Sequence, residues 1–221
     1  MRVKNSSTSG LTGNPMKRSM IRKERMLTIA GLAFCVGLGA LTPPAEAMGR
    51  DTVQTLYSTL MSTMQSGPSL GARGRYARIQ PVVRQVFDIP YMTRLAVGPE
   101  WNNLNETQRQ QVTQAFESYV TAIYAERFDK YSGERLQVTG EQPSTGGTII
   151  TTQIVKSSGE PVSVNYLVRQ NGQIGDVYVD ASISELATRR SEFASILRTQ
   201  GINGLIAMLN NKAAVLAARA S

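Results

Sequence analysis

One Asn-Gly pair, set between two alternating stretches, limits the folds open to this chain more than any other feature. Asn171-Gly172 separates Val162-Ser-Val-Asn-Tyr-Leu-Val-Arg-Gln170 from Gln173-Ile-Gly-Asp-Val-Tyr-Val179. A two-residue type I′ hairpin turn needs φ > 0 at both central positions, and Asn-Gly meets that need. The turn sets a register in which Arg169 faces Ile174, Val168 faces Gly175, Tyr166 faces Val177 and Val164 faces Val179. Side chains alternate along a strand. One face therefore carries Val164, Tyr166, Val168, Val177 and Val179. The other pairs Asn165 with Tyr178, Leu167 with Asp176 and Arg169 with Ile174. A one-residue slip would mix the two sets, so the rest of the chain must cover the apolar face.

The formal net charge of +8 is unevenly spread. Residues before Met48 hold +5 of it, which leaves +3 for the rest, with no basic run interleaved with aromatics. That gives no argument for a nucleic-acid role. The front reads as a targeting segment. Lys17 to Arg25 is a basic region, Met26 to Leu41 an apolar core, and Ala45-Glu46-Ala47 a cleavage signature. We expect residues 1–47 to be an extension plus signal peptide cleaved after Ala47, and residues 48–221 to be one domain. Cys35 lies within the leader, and the chain has no His. The mature domain must then hold itself by its apolar core alone, without disulfides.

Helical spacing runs from Asp51 to Gln65 through Val53, Leu56, Tyr57, Leu60, Met61 and Met64. Gly67-Pro68 stops it, and Pro81 either starts or kinks the next helix. Asp88-Ile-Pro-Tyr91 caps a short helix, Gly98-Pro99 ends it, and Trp101 falls in a loop. Asn105-Glu-Thr-Gln108 has the form of a capping box before a long helix to Tyr131, with Gly133 as its C′ residue. Short strands follow around Leu136–Val138 and Ile150–Ile154, then the hairpin, giving four antiparallel strands. A helix from Glu185 to Thr199 breaks at Gly201, and a last helix carries Leu205 and Leu209. The fold class is α+β, a bent antiparallel sheet of about four strands covered by helices. Periodicity alone does not separate a packed core from an enclosed cavity.

The missing His and mature Cys exclude Ser-His-Asp and Cys-His chemistry and the usual zinc donors. Asp176, Asp180 and Glu185 lie near one end of the hairpin, but their loose spacing reads as surface or capping, not a metal site. We expect no cofactor, no metal and no catalytic residue. One rival reading is a small cone-shaped enzyme using Asp176 with Tyr124 or Tyr178; another is a non-catalytic envelope adaptor.

Several features recur in a fixed order. They are Phe87-Asp88, Met92-Thr-Arg-Leu95, Gly98-Pro-Glu-Trp101, Gln108-Arg109, Phe116, Ile150-x-Thr-x-Ile154, Tyr166-x-x-Arg169, Asp176-Val177, Arg189-x-x-x-Phe193, Gly201 and Leu205. Together, over roughly Asp51 to Lys212, they resemble the MlaC or toluene-tolerance family of periplasmic phospholipid-binding proteins. A hopanoid-associated branch, HpnM, shares the pattern. This chain departs from it at Asp180-Ala-Ser, where a Glu-Gly pair is common, and at Ile174, where an aromatic is common. The resemblance implies a periplasmic monomer that carries phospholipid or hopanoid between an outer-membrane lipoprotein complex and an inner-membrane ABC transporter complex. The helices would then enclose an apolar lipid pocket. Its expected walls are Met92, Leu95, Val97, Phe116, Val120, Tyr124 and Phe128 from helices, with Tyr166, Val168, Val177, Val179 and Phe193 from the sheet and C-terminal side. Arg169, beside the turn, is the expected head-group cation.

Overall fold

The computed structural model describes residues 45–180 and 182–219. The proposed leader lies outside the described residues up to residue 44. The described chain holds five α-helices and an open five-stranded antiparallel sheet in the order β1 to β5. The helices are α1 (Ala45–Gln65), α2 (Gly67–Val86), α3 (Ile89–Val97), α4 (Glu106–Arg127) and α5 (Glu185–Arg219). The strands are β1 (Arg135–Ser144), β2 (Gly147–Val155), β3 (Pro161–Arg169), β4 (Ile174–Val179) and β5 (Ile183–Ser184).

Local chemistry accounts for most boundaries. Asp88 caps α3 by accepting from Tyr91 N at 3.1 Å. Asn105 and Gln108 form the capping box of α4, each side chain bonding the other's backbone N–H. Gly71 (φ 60°) interrupts α2 and Gly201 (φ 64°) interrupts α5, because only glycine takes such angles without strain. Pro81 sits inside α2 and starts no new helix. Three expectations change. Trp101 belongs to a 3₁₀ turn, Gly98–Asn103. Helix α4 stops at Arg127, with Phe128 at its C-cap, and Gly133 lies in the following turn. A fifth strand, Ile183–Ser184, pairs with Tyr178 and Val179.

The hairpin between β3 and β4 shows how register is decided. Only Gly172 takes a positive φ (79°) in the loop; Asn171 does not. Gly172 N donates to Arg169 O and Arg169 N to Gln173 O, both at 2.9 Å. The loop is therefore three residues long, a turn followed by a left-handed glycine. Asn171 Oδ1 accepts from Gln173 N, an Asx-type contact that favours this form. Val168 now pairs with Ile174, and Gly175 bulges out before Leu167 pairs with Asp176. Beyond that point the expected pairs Tyr166 with Val177 and Val164 with Val179 are present. The reason is burial. The regular register would put Gly175 inside and Ile174 outside, whereas the bulge brings Ile174 inward to full burial. Burying an isoleucine contributes about 1.5–3 kcal/mol.

The core lies between the inner face of the sheet and the helices. Val53, Leu56 and Leu60 of α1, Ile79 and Val83 of α2, and Leu205 and Leu209 of α5 are fully buried. Arg75 of α2 is also buried and holds Ala125 O at the end of α4 and Gly67 O at the start of α2, each at 3.1 Å. A Cβ at Gly67 would stand 1.8 Å from Asp129 O, so α2 begins in direct backbone contact with the loop after α4.

Candidate functional site

Between α4 and the sheet lies a cavity of about 390 Å³. Helix α4 contributes Phe116, Tyr119, Val120, Ile123, Tyr124 and Arg127, an uninterrupted stripe at helical spacing. The sheet contributes alternate residues of its inner face: Leu136, Ile154, Val162, Val164, Tyr166, Val177 and Val179. Met64, Phe87, Met92 and Leu186 close the remaining sides. Phe87 packs on Tyr124 with ring centroids 5.5 Å apart, and Tyr124 stacks on Phe128 at 5.8 Å.

Charge is confined to a few places on this wall. Arg127, Asp129 and Lys130 are exposed, and Glu134 is half-buried, around the loop that follows α4. Glu185 and Arg189 stand on the first turns of α5. The Arg189 guanidinium bonds Glu185 at 3.1 Å and Glu192 at 3.0 Å, and lies 5.6 Å from the centre of the Tyr119 ring. Lys212 pairs with Glu192 from the far half of α5. Burial opposes the charge on Glu192, but hydrogen bonds from Lys212 and Arg189 outweigh it and hold the carboxyl below its usual range.

The wall also contains a run of hydroxyls. Tyr57 bonds Thr152, whose hydroxyl donates to Val164 O. Tyr57 also meets the Tyr166 ring edge-on, with ring centroids 5.9 Å apart. Burial, reinforced by the neighbouring phenols, pushes Tyr124 and Tyr166 well above the ordinary tyrosine value, and burial raises Tyr57 as well. All three are neutral in the physiological range.

The structure brings Met92, Phe116, Val120, Tyr124, Phe128, Tyr166, Val177 and Val179 to the cavity. Four other expected wall residues lie elsewhere. Val97 packs in the core at the end of α3. Val168 faces the core over Gly49. Phe193 is fully buried edge-on against Phe116, behind the wall. Leu95 is 37% exposed, because the cavity side of α3 belongs to Met92. Arg169 is also absent from the wall. Its guanidinium lies 3.8 Å from the centre of the Tyr91 ring and pairs with Asp88. Gly175 leaves room for this seat, since a Cβ at 175 would fall 2.7 Å from Arg169 Cδ. The cations that do line the cavity are Arg127, Lys130 and Arg189. Arg127 and Lys130 were not among the expected residues, although helical spacing carries the α4 stripe on to Arg127; Arg189 entered only within a family-like motif.

Asp176 is fully engaged. Its carboxylate accepts from Val177 N at 2.8 Å, Ser184 Oγ at 2.7 Å and Leu186 N at 3.3 Å, tying β4 to the start of α5. It is on the opposite face of β4 from Val177, away from Tyr124. No group of three or more His, Cys, Asp or Glu among the described residues could hold a metal ion.

Residues 54–211 match the family model described as MlaC protein. This chain belongs to the MlaC family. Among curated MlaC relatives is the intermembrane phospholipid transport system binding protein MlaC of Haemophilus influenzae, 22% identical over 205 residues, covering 88% of this chain and 96% of that protein. Among solved structures, the MlaC-like fold appears in a phospholipid-binding protein from Ralstonia solanacearum, solved in complex with a phospholipid. It aligns with a TM-score of 0.64 and 21% identity, covering 79% of this chain and 99% of that one.

Proposed function

We propose that this protein is a periplasmic lipid carrier, the soluble component of an ABC-type lipid transport system moving phospholipid or hopanoid between the outer and inner membranes. The cavity carries the reading, since its walls are apolar side chains from α4 and the inner face of the sheet, with charge confined to the α4 loop and the start of α5. Membership of the MlaC family supports it, as do a phospholipid transport relative and a fold shared with a phospholipid-binding protein. Physically, each methylene exposed to water costs about 0.8 kcal/mol. A diacyl lipid with roughly thirty of them faces a barrier on the order of 20 kcal/mol in crossing water unaided. An apolar cavity removes most of that barrier with no acid, base, nucleophile or metal.

In this reading Met92, Phe116, Val120, Ile123 and Phe128 hold acyl chain from the helical side, and Val164, Tyr166, Val177 and Val179 hold it from the sheet. The head group sits among Arg127, Lys130 and Arg189, not at Arg169. Residues 1–47 serve as the export leader. Native mass spectrometry and lipid extraction on protein recovered from the periplasm should show co-purifying lipid. Consistently empty protein that also takes up no lipid from vesicles would refute the carrier.

A further inference from the structure

We propose that the mouth of the cavity seats on the surface of a lipid bilayer, with Ile183 and Tyr131 as the side chains that enter it. The proposal rests on the carrier reading and adds how the cavity is loaded. The mouth lies at one end of the sheet. There the wall is made by Leu136 at the start of β1, Ile154 at the end of β2, Val162 at the start of β3 and Val179 at the end of β4. Exposed Arg127, Asp129 and Lys130 stand beside it. Sheet register carries the apolar wall out of the cavity. Val164 pairs with Val179, and Val179 with Ile183 of the edge strand β5. Directly opposed residues share a face, and Ser184, the next residue, bonds Asp176 on the other face. Ile183 is therefore the outermost member of a row whose inner members line the cavity, and it is 54% exposed. Tyr131, 44% exposed, follows Lys130 in the loop before β1, at the opposite edge of the sheet. These are the two most exposed large apolar side chains among the described residues.

Charge does not account for what this rim would meet. Arg127 and Lys130 are matched by Asp129 and Glu134, and Arg189 is held between Glu185 and Glu192. The mouth thus offers little net field to steer a charged partner. What it offers is apolar area continuous with the lipid-binding wall. A lipid crossing an open gap exposes its methylenes to water, and a rim set into the bilayer interface closes that gap. A tyrosine suits that depth, having an apolar ring and a polar tip. Two short anchors hold weakly, so the seat is reversible, as a shuttle requires.

The test uses protein produced from the full chain and two probes. One is a fluorescent phospholipid held in phosphatidylcholine vesicles, read as a rate of uptake. The other is a short-chain phospholipid dissolved as monomer, read as an affinity. The double variant Tyr131→Ser, Ile183→Ser should take lipid from vesicles at least about tenfold more slowly, the range of losing one buried apolar side chain. Its affinity for the dissolved probe should stay within about twofold, because neither residue lines the cavity. Unchanged uptake in the double variant overturns the proposal. So does an equal loss with both probes, which would place the two side chains in ligand binding itself. A wild type that binds the dissolved probe but takes nothing from vesicles also overturns it, since the mouth is then served by a protein, and leaves the carrier reading standing. A wild type that takes up neither probe overturns the carrier reading and this inference with it.

Discussion

Replacing Arg169 with glutamine separates a structural clamp from a ligand contact. The guanidinium bonds Asp88, whose side chain is only 12% exposed and also caps α3 and receives Asn171 Nδ2 at 2.9 Å. It also lies 3.8 Å from the centre of the Tyr91 ring. A charge-assisted hydrogen bond contributes about 1.5–3 kcal/mol, and a cation–π contact at a part-exposed site about 0.5–1 kcal/mol. The Arg169 side chain is 32% exposed, so solvent screening discounts the sum. A net loss of about 2 kcal/mol follows, or roughly 4–8 °C in Tm for a domain of this size. Thermal and urea unfolding measure the loss, and combining it with Asp88→Asn in a double-mutant cycle should show coupling of about 1 kcal/mol. Affinity for a fluorescent lipid should stay within about twofold, since that is below the weight of one hydrogen bond. An unchanged Tm together with a large loss of lipid affinity would refute the clamp and return Arg169 to the head group.

Three other perturbations test separate parts of the structure. Gly67→Ala sets a methyl 1.8 Å from Asp129 O, a backbone atom at the cavity rim; we expect a loss of about 3 kcal/mol, the upper range of overpacking, in chemical unfolding. Val177→Asp places a carboxylate on the cavity wall opposite Tyr166, and uptake of lipid from vesicles should fall at least about tenfold while the circular dichroism of the fold is retained. The raised phenols of Tyr57, Tyr124 and Tyr166 stay protonated in the folded chain when the unfolded chain ionises near 10. Their contribution is complete below that pH and is lost above it, as the pH climbs toward their folded values, at up to about 4 kcal/mol per pH unit for three groups. Phenolate absorbance against pH, with stability measured in parallel, checks the sign.

The α4 stripe and the inner faces of β3 and β4 were legible because their periods, near 3.6 and 2, are properties of the chain itself. Helix caps were legible for the same reason, since Asp88 and Asn105 act on neighbours three residues away. What could not be read depended on partners far along the sequence. Phe193 and Phe116 carry the same apolar signal, yet Phe193 ends up behind the wall and Phe116 on it, a difference set by how α5 packs on α4. Arg169 sits beside a turn, where a solvated cation is expected, and Asp88 lies 81 residues away. The bulge at Gly175 was hidden because two pairings of one sequence share every contact beyond Leu167 and Asp176. The burial of Ile174 decides between them.

That shared register has a consequence for how such chains can vary. Eight residues separate Leu167 from Asp176, and they are divided between an odd loop and a single bulge. Removing one residue from this tip need not turn the strand over, because the bulge can straighten or the loop can tighten to absorb the change. The cavity wall begins at the Tyr166–Val177 pair and is insulated from the count. The tip is a length adjuster: sequences one residue shorter here can keep the same inward-facing valines.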